Sequence, residues 1–233
     1  MIAPPAPELL HRPLAALVRA YGPPASVASR DDGQHVIFSD GTATLDAIVD
    51  DDAVVHALDV SEPAGTRYSL DLDGVAHTVT FGMTTSLGAR DELAADAENE
   101  GTNFRVFRRG AASNLVLVFD PKTQLLARTV VGDRATILRL GYLVDPQPTQ
   151  TRFPYVAPKL KRAAVGDGSG TRVTVLRVDL DRAGVVRNVS VLLPSGDDAF
   201  DADAARKLGG EAYAPAKLGG RPIGAGVLRE VRH

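Results

Sequence analysis

The stretch from Arg172 to Val231 constrains the fold most, because its apolar residues change period twice and turn residues fall at each change. In Arg172 to Leu180, the residues Leu176, Val178 and Leu180 alternate with Arg177 and Asp179, the period-two pattern of a strand with one buried face. Asp181-Arg182-Ala183-Gly184 predicts a tight turn, with Gly184 able to take the positive φ of a hairpin exit. Val185 to Leu193 resumes the alternation through Val189, Val191 and Leu193, so an antiparallel hairpin is expected. Pro194-Ser195-Gly196 ends it. Asp197, Asp198, Asp201 and Asp203 then crowd the start of a helix, where the helix dipole favours carboxylates, and Asp201 or Asp198 is the expected N-cap. Phe200, Ala204 and Leu208 recur every four residues as an apolar stripe, and Gly209-Gly210 predicts an αL cap. After Tyr213-Ala214-Pro215-Ala216 and the Gly219-Gly220 turn, Ile223, Ala225, Val227 and Val231 predict a last strand.

The order of Leu180-Asp181-x-x-Gly184-x-Val186, Pro194-Ser195-Gly196, Phe200-Asp201-x-x-Ala204 and Tyr213-x-Pro215-Ala216-x-x-x-Gly220-x-Pro222 resembles the C-terminal domain of the TonB family of energy transducers. The chain departs from that family at Tyr213-Ala214-Pro215, where Trp or Phe usually precedes x-Pro, and at Pro194, where a Ser is frequent. The resemblance implies a small β-β-α-β domain over residues 159–233, with Gly184, Ser195, Gly196, Asp201, Tyr213, Pro215 and Gly220 as its structural motif. It also implies that the last strand is an edge onto which an extended partner segment pairs through its backbone. The partner-binding residues are then Ile223, Gly224, Ala225, Gly226, Val227, Leu228 and Arg229. Glycine inside a strand costs up to ~1 kcal/mol, so Gly224 and Gly226 call for a bend or a close approach. A bulge or a homodimer edge accounts for them as well as a guest strand does.

Upstream, Leu14, Leu17, Val18 and Tyr21 lie on one helical face that Gly22-Pro23-Pro24 terminates. Strands are expected at 35–39, 43–49 and 53–60 around Asp40-Gly41 and Asp50-Asp51-Asp52, and a hairpin at 67–72 and 75–81 around Asp73-Gly74. A second helix over 87–98 precedes strands at 104–108, 115–119 and 125–131, and a short helix is expected within 135–143. The expected class is therefore α+β, an antiparallel-sheet region of two helix-plus-three-strand units followed by the β-β-α-β domain. Residues 1–12 read as a flexible Pro/Ala-rich tail, 13–143 as the N-terminal domain with a tandem repeat at 13–66 and 82–143, and 144–158 as a Pro-rich linker. The helix-then-strands order with Phe81-Gly82-Met83-Thr84 resembles β-lactamase-inhibitor-protein-like and SmpA/OmlA-like envelope domains, which implies protein binding by that region.

Chemistry is sparse. No Cys is present, which removes disulfides, thiol nucleophiles and Cys-based zinc sites. His11, His35, His56, His77 and His233 never share a local metal-binding spacing, so no metal is expected. Asp71-x-Asp73-Gly74 lacks the later carboxylates of a calcium loop, and Gly166-Asp167-Gly168-Ser169-Gly170 lacks the Lys of a phosphate loop. Ser195-Gly196 lacks nucleophile context. No catalytic residue, cofactor or enzymatic activity is expected. A net charge of -3 without a basic run gives no reason to bind nucleic acid. No run reaches the roughly 18 apolar residues of a membrane span, so membrane contact would need an anchor ahead of Met1. The expected function is a periplasmic module, mature or trimmed, that binds an extended segment of an envelope or outer-membrane transporter protein by strand addition, in energy-coupled transport. An assembly factor or inhibitor acting through the N-terminal repeats is the alternative.

Overall fold

The computed structural model describes residues 7–31, 33–72, 75–93, 97–110, 112–143, 155–164 and 170–232. Most of the expected tail, Asp73-Gly74, the linker up to Pro154, most of the 166–170 loop and His233 lie outside these residues. After a 3-10 turn at Pro7–Leu9 come α1 (Leu14–Tyr21), β1 (Ser26–Arg30), β2 (Gly33–Ser39), β3 (Thr44–Val49), β4 (Val55–Ser61), β5 (Arg67–Leu72), β6 (Val75–Thr80) and α2 (Ala89–Leu93). There follow β7 (Asn99–Gly101), β8 (Phe104–Arg109), β9 (Ser113–Phe119), β10 (Leu126–Asp133) and α3 (Arg134–Arg139). The remainder is β11 (Tyr155–Val156), β12 (Lys159–Arg162), β13 (Val173–Leu180), β14 (Val186–Leu193), α4 (Asp198–Leu208), β15 (Ala212–Ala214), β16 (Ala216–Leu218), β17 (Arg221–Ile223) and β18 (Ala225–Arg232).

The expected α+β class is overturned. The chain is mostly β, and eight strands form one antiparallel sheet in the order β1-β2-β3-β4-β10-β9-β8-β7. The reason is local: β1, β7, β11, β12 and β15 to β17 run to only two to five residues, too short to carry the alternation that marks a half-buried strand. The helix expected over 87–98 is described only over Ala89–Leu93, and Asn99–Gly101 is a strand. Among the described residues no helix is long and apolar enough to cross a membrane.

Two compact units are interleaved in sequence. One comprises Met1–Arg12, Phe38–Ile48 and Val55–Pro148, the other Pro13–Ile37, Val49–Val54 and Thr149–His233. In the first, Leu115 to Phe119 is an unbroken apolar run buried on both faces, as a central strand requires. Val106, Val116 and Val130 meet Ile137 of α3 in its core. Asp133 starts that helix, its Oδ1 accepting the Thr136 N–H at 2.7 Å. Pro121 turns the chain between β9 and β10, and Asp120 Oδ1 accepts from the N–H groups of Lys122 and Thr123.

In the second unit a three-stranded sheet in the order β14-β13-β18 carries α4 on one face, with Leu176, Val178, Val227, Ala204, Leu208 and Tyr213 in its core. Two register shifts interrupt the β13–β14 ladder, one between Val175 and Leu176, the other between Asp179 and Leu180. Asp181 Oδ1 accepts from Ala183 and Val185 at the hairpin turn. Gly184 takes φ +79°, and a Cβ there would sit 2.4 Å from the Tyr213 carbonyl oxygen.

The ends of α4 differ from expectation. Asp197 is the N-cap, its side chain accepting from Ala199 and Phe200, whereas Asp201 is buried and receives the Ser195 N–H on both oxygens. A carboxylate one turn into the helix can reach back to the chain before it, as in a capping box. Gly209 stays right-handed at φ -57°, and the helix closes through Gly209 N–H to Ala205 and Gly210 N–H to Lys207 rather than by an αL cap.

Gly184→Ala is expected to cost about 2 to 4 kcal/mol, the left-handed penalty plus the clash. Gly196→Ala, at φ +87° with nothing within 4 Å of its Cβ, should cost only about 1 to 2 kcal/mol. Urea unfolding of both variants measures the difference.

Candidate functional site

The predicted partner-binding stretch does not form one strand. Ile223 belongs to β17 and pairs with Ala216, Gly224 joins the two strands, and Ala225, Gly226, Val227, Leu228 and Arg229 lie on β18. One edge of β18 pairs with β13 along its whole length. The other edge is held by side chains. The Gln34 carboxamide donates through Nε2 to the Gly226 carbonyl at 2.8 Å, and its Oε1 accepts the Leu228 N–H at 3.2 Å. Ser29 Oγ donates to the same Oε1 at 2.6 Å, and Gln34 is buried. A side-chain amide thus makes the two bonds that a neighbouring strand would make.

The Gly226 N–H faces the Asp51 carboxyl, which burial pushes above its usual range against the pull of Arg177 and that N–H. A Cβ on Gly226 would lie 3.2 Å from Asp51 Cγ and Oδ1. Close approach of this carboxyl is what the missing side chain accommodates. At the far end Arg232 Nη2 donates to the carbonyls of Pro24 and Ala25 at 2.8 and 2.7 Å. The outer edge of β18 is therefore occupied, and the bareness read as an invitation to a guest strand serves internal packing.

Arg229 also turns inward. Its Nη2 bonds Glu211 Oε1 at 2.9 Å, and Tyr213 donates its hydroxyl to Glu211 Oε2 at 2.5 Å. Glu211 is fully buried, and burial together with its carboxylate raises the Tyr213 hydroxyl far above its ordinary range. Of the other motif residues, Ser195 and Gly196 form the turn into α4, Pro215 separates β15 from β16, and Gly220 takes φ +79° between β16 and β17. They shape loops. Sequence reasoning missed Gln34, whose signal, a polar residue beside the apolar run from Val36 to Phe38, does not reveal a partner nearly two hundred positions away.

β14 ends its sheet, and among the described residues its outer edge pairs with no strand. None of its eight residues is buried, and Val191 is 39% exposed. At its C-terminal end a groove of about 320 Å³ opens between Val18, Pro23, Pro24, Val175, Leu193 and Pro194. Elsewhere, in the first unit, His11, His56 and Asp133 bring ligand-bearing atoms within 4.8 Å of one another, although the three positions are widely separated in sequence.

No protein-family model matches the chain, and no curated protein matches it. Among solved structures, a cysteine-rich secretory protein from Staphylococcus aureus subsp. aureus Mu50 aligns at a TM-score of 0.38 and 8% identity, covering 62% of this chain and 55% of that one. An extracellular protein containing a SCP domain from Bacillus anthracis str. Ames aligns at 0.37 and 12% identity, covering 63% and 53%. The chain spans a little over half the length of each, and likeness of this degree assigns it no activity. With no family model matched, both resemblances drawn from the sequence are withdrawn, and the energy-transducer role with them. The TonB signatures are turn and capping residues, which any strand-rich chain needs at hairpins and helix starts.

Replacing Gln34 by Ala uncovers two backbone groups of β18. It is expected to destabilise the protein by about 1 to 3 kcal/mol and to lower the hydrogen-exchange protection of the Leu228 amide more than that of Val178. Glu211→Ala leaves Arg229 without its carboxylate and should cost about 3 kcal/mol or more in urea unfolding.

Proposed function

We propose that this chain is a non-enzymatic, periplasmic protein-binding module that holds an extended segment of an envelope protein by strand addition along β14. The observation that carries the reading is the contrast between the two ends of one sheet. β18 has its outer backbone groups taken by Gln34 and Asp51, whereas β14 presents an eight-residue edge that carries the exposed Val191. Strand addition draws its affinity from main-chain hydrogen bonds and its selectivity from pockets for alternate side chains. The groove beside Leu193 and Pro194 offers one such pocket at the end of the edge.

An NMR titration of the full chain with extended peptides from periplasm-facing segments of outer-membrane proteins tests this. Shifts concentrated on the amides of Val186 to Leu193 are expected, and Val191→Lys, which blunts an edge with an exposed charge, should weaken binding without loss of fold. Shifts centred on β18, or none at millimolar peptide, would overturn the reading.

A further inference from the structure

His11, His56 and Asp133 meet in the first unit in a way that neither strand addition nor packing requires. The β4–β10 ladder ends at Ala57 and Gly132, and the residues next to them, His56 and Asp133, set an imidazole against a carboxylate with Nδ1 2.7 Å from Oδ2. The carboxylate cannot turn away, because its other oxygen accepts the Thr136 N–H at the start of α3. Burial opposes its charge, but the hydrogen bonds from Thr136 and His56 hold the carboxyl below its usual range. An ionised carboxylate only accepts, so His56 Nδ1 carries the shared proton.

The third group is brought by the backbone. The His11 N–H donates to the Val55 carbonyl at 2.7 Å, and the Val55 N–H donates to Arg12 at 2.9 Å, which pins residue 11 beside His56. His11 holds φ +60°, a conformation that costs a non-glycine residue energy and clusters at sites where geometry matters. Its ring meets that of His56 edge to face, with centroids 5.7 Å apart. Two imidazoles and a carboxylate converge, and His11 is exposed.

From this placement we infer that His11, His56 and Asp133 form a binding site for a divalent transition-metal ion of the zinc kind. Nitrogen donors suit zinc and its neighbours, whereas calcium and magnesium take oxygen shells. Metal–ligand bonds of about 2.0 to 2.2 Å put donor atoms roughly 3.3 Å apart around a tetrahedral ion. The atoms here lie within 4.8 Å of one another, so a small swing of the exposed His11 ring closes the wider gaps, while the 2.7 Å pair of His56 Nδ1 and Asp133 Oδ2 opens by about half an ångström to admit the ion. The ion takes the place of the hydrogen between His56 Nδ1 and Asp133 Oδ2, and the neutral imidazole then carries its one N–H on Nε2. Thr136 then acts as an outer partner that orients the carboxylate. Three protein ligands leave a fourth position open to solvent.

The test is calorimetric titration of the untagged, chelator-treated full chain with zinc chloride in a non-coordinating buffer. One equivalent is expected at micromolar affinity or tighter, with a rise in the thermal midpoint. His11→Ala and Asp133→Asn should each weaken binding by about tenfold or more. His11 is exposed, so its variant keeps the metal-free midpoint, and His77→Ala should bind as the parent chain does. Absence of binding at zinc concentrations well above micromolar, unchanged affinity in His11→Ala, or equal loss in His77→Ala would overturn the site.

Discussion

Unpaired backbone along strand edges is the constraint on which the rest of this structure depends. Every strand that ends a sheet leaves N–H and C=O groups that must find partners or face water. The eight-stranded sheet answers by extension, so that only β1 and β7 end it. The three-stranded sheet cannot do so and treats its two ends differently. β18 is sealed by side chains whose geometry copies a strand, and β14 is left facing outward. The proposed binding edge rests on that asymmetry.

The same logic accounts for the charged groups inside the second unit. Glu211 is fully enclosed, a state that a carboxylate tolerates only with strong partners, and Arg229 and Tyr213 supply them from two other points of the chain. Arg177 does similar work at the surface, with Nε on Asp179 at 2.8 Å and Nη1 on Asp52 at 3.0 Å. These contacts fix register more than they add stability, because ion pairs exposed to water contribute little.

Elements with strong local signals were legible. The hairpin of β13 and β14, the apolar stripe of α4, the run of β9 and the Asp120 turn all stand where alternation, helical spacing or turn chemistry points. Short strands such as β7 and β11 were not, since two or three residues pair through the backbone and are too few to leave a pattern in side chains. The N-cap, expected at Asp201 or Asp198, falls at Asp197, because four aspartates crowd the helix start and only geometry selects among them. The candidate sites were least legible. Gln34 reaches β18, and His11 reaches His56 and Asp133, through contacts that local spacing cannot express.

The two register shifts in β14 set a length scale. Between them only Asn188 to Val191 runs in step with β13, so a guest that follows one stretch must break step at either end. A contact of about four residues forms few hydrogen bonds, each worth about 1 kcal/mol net, and it exchanges quickly. The same irregularity would work against two copies of the chain zipping along this edge into a continuous ribbon. An edge built this way favours brief occupancy by many segments over permanent capture of one.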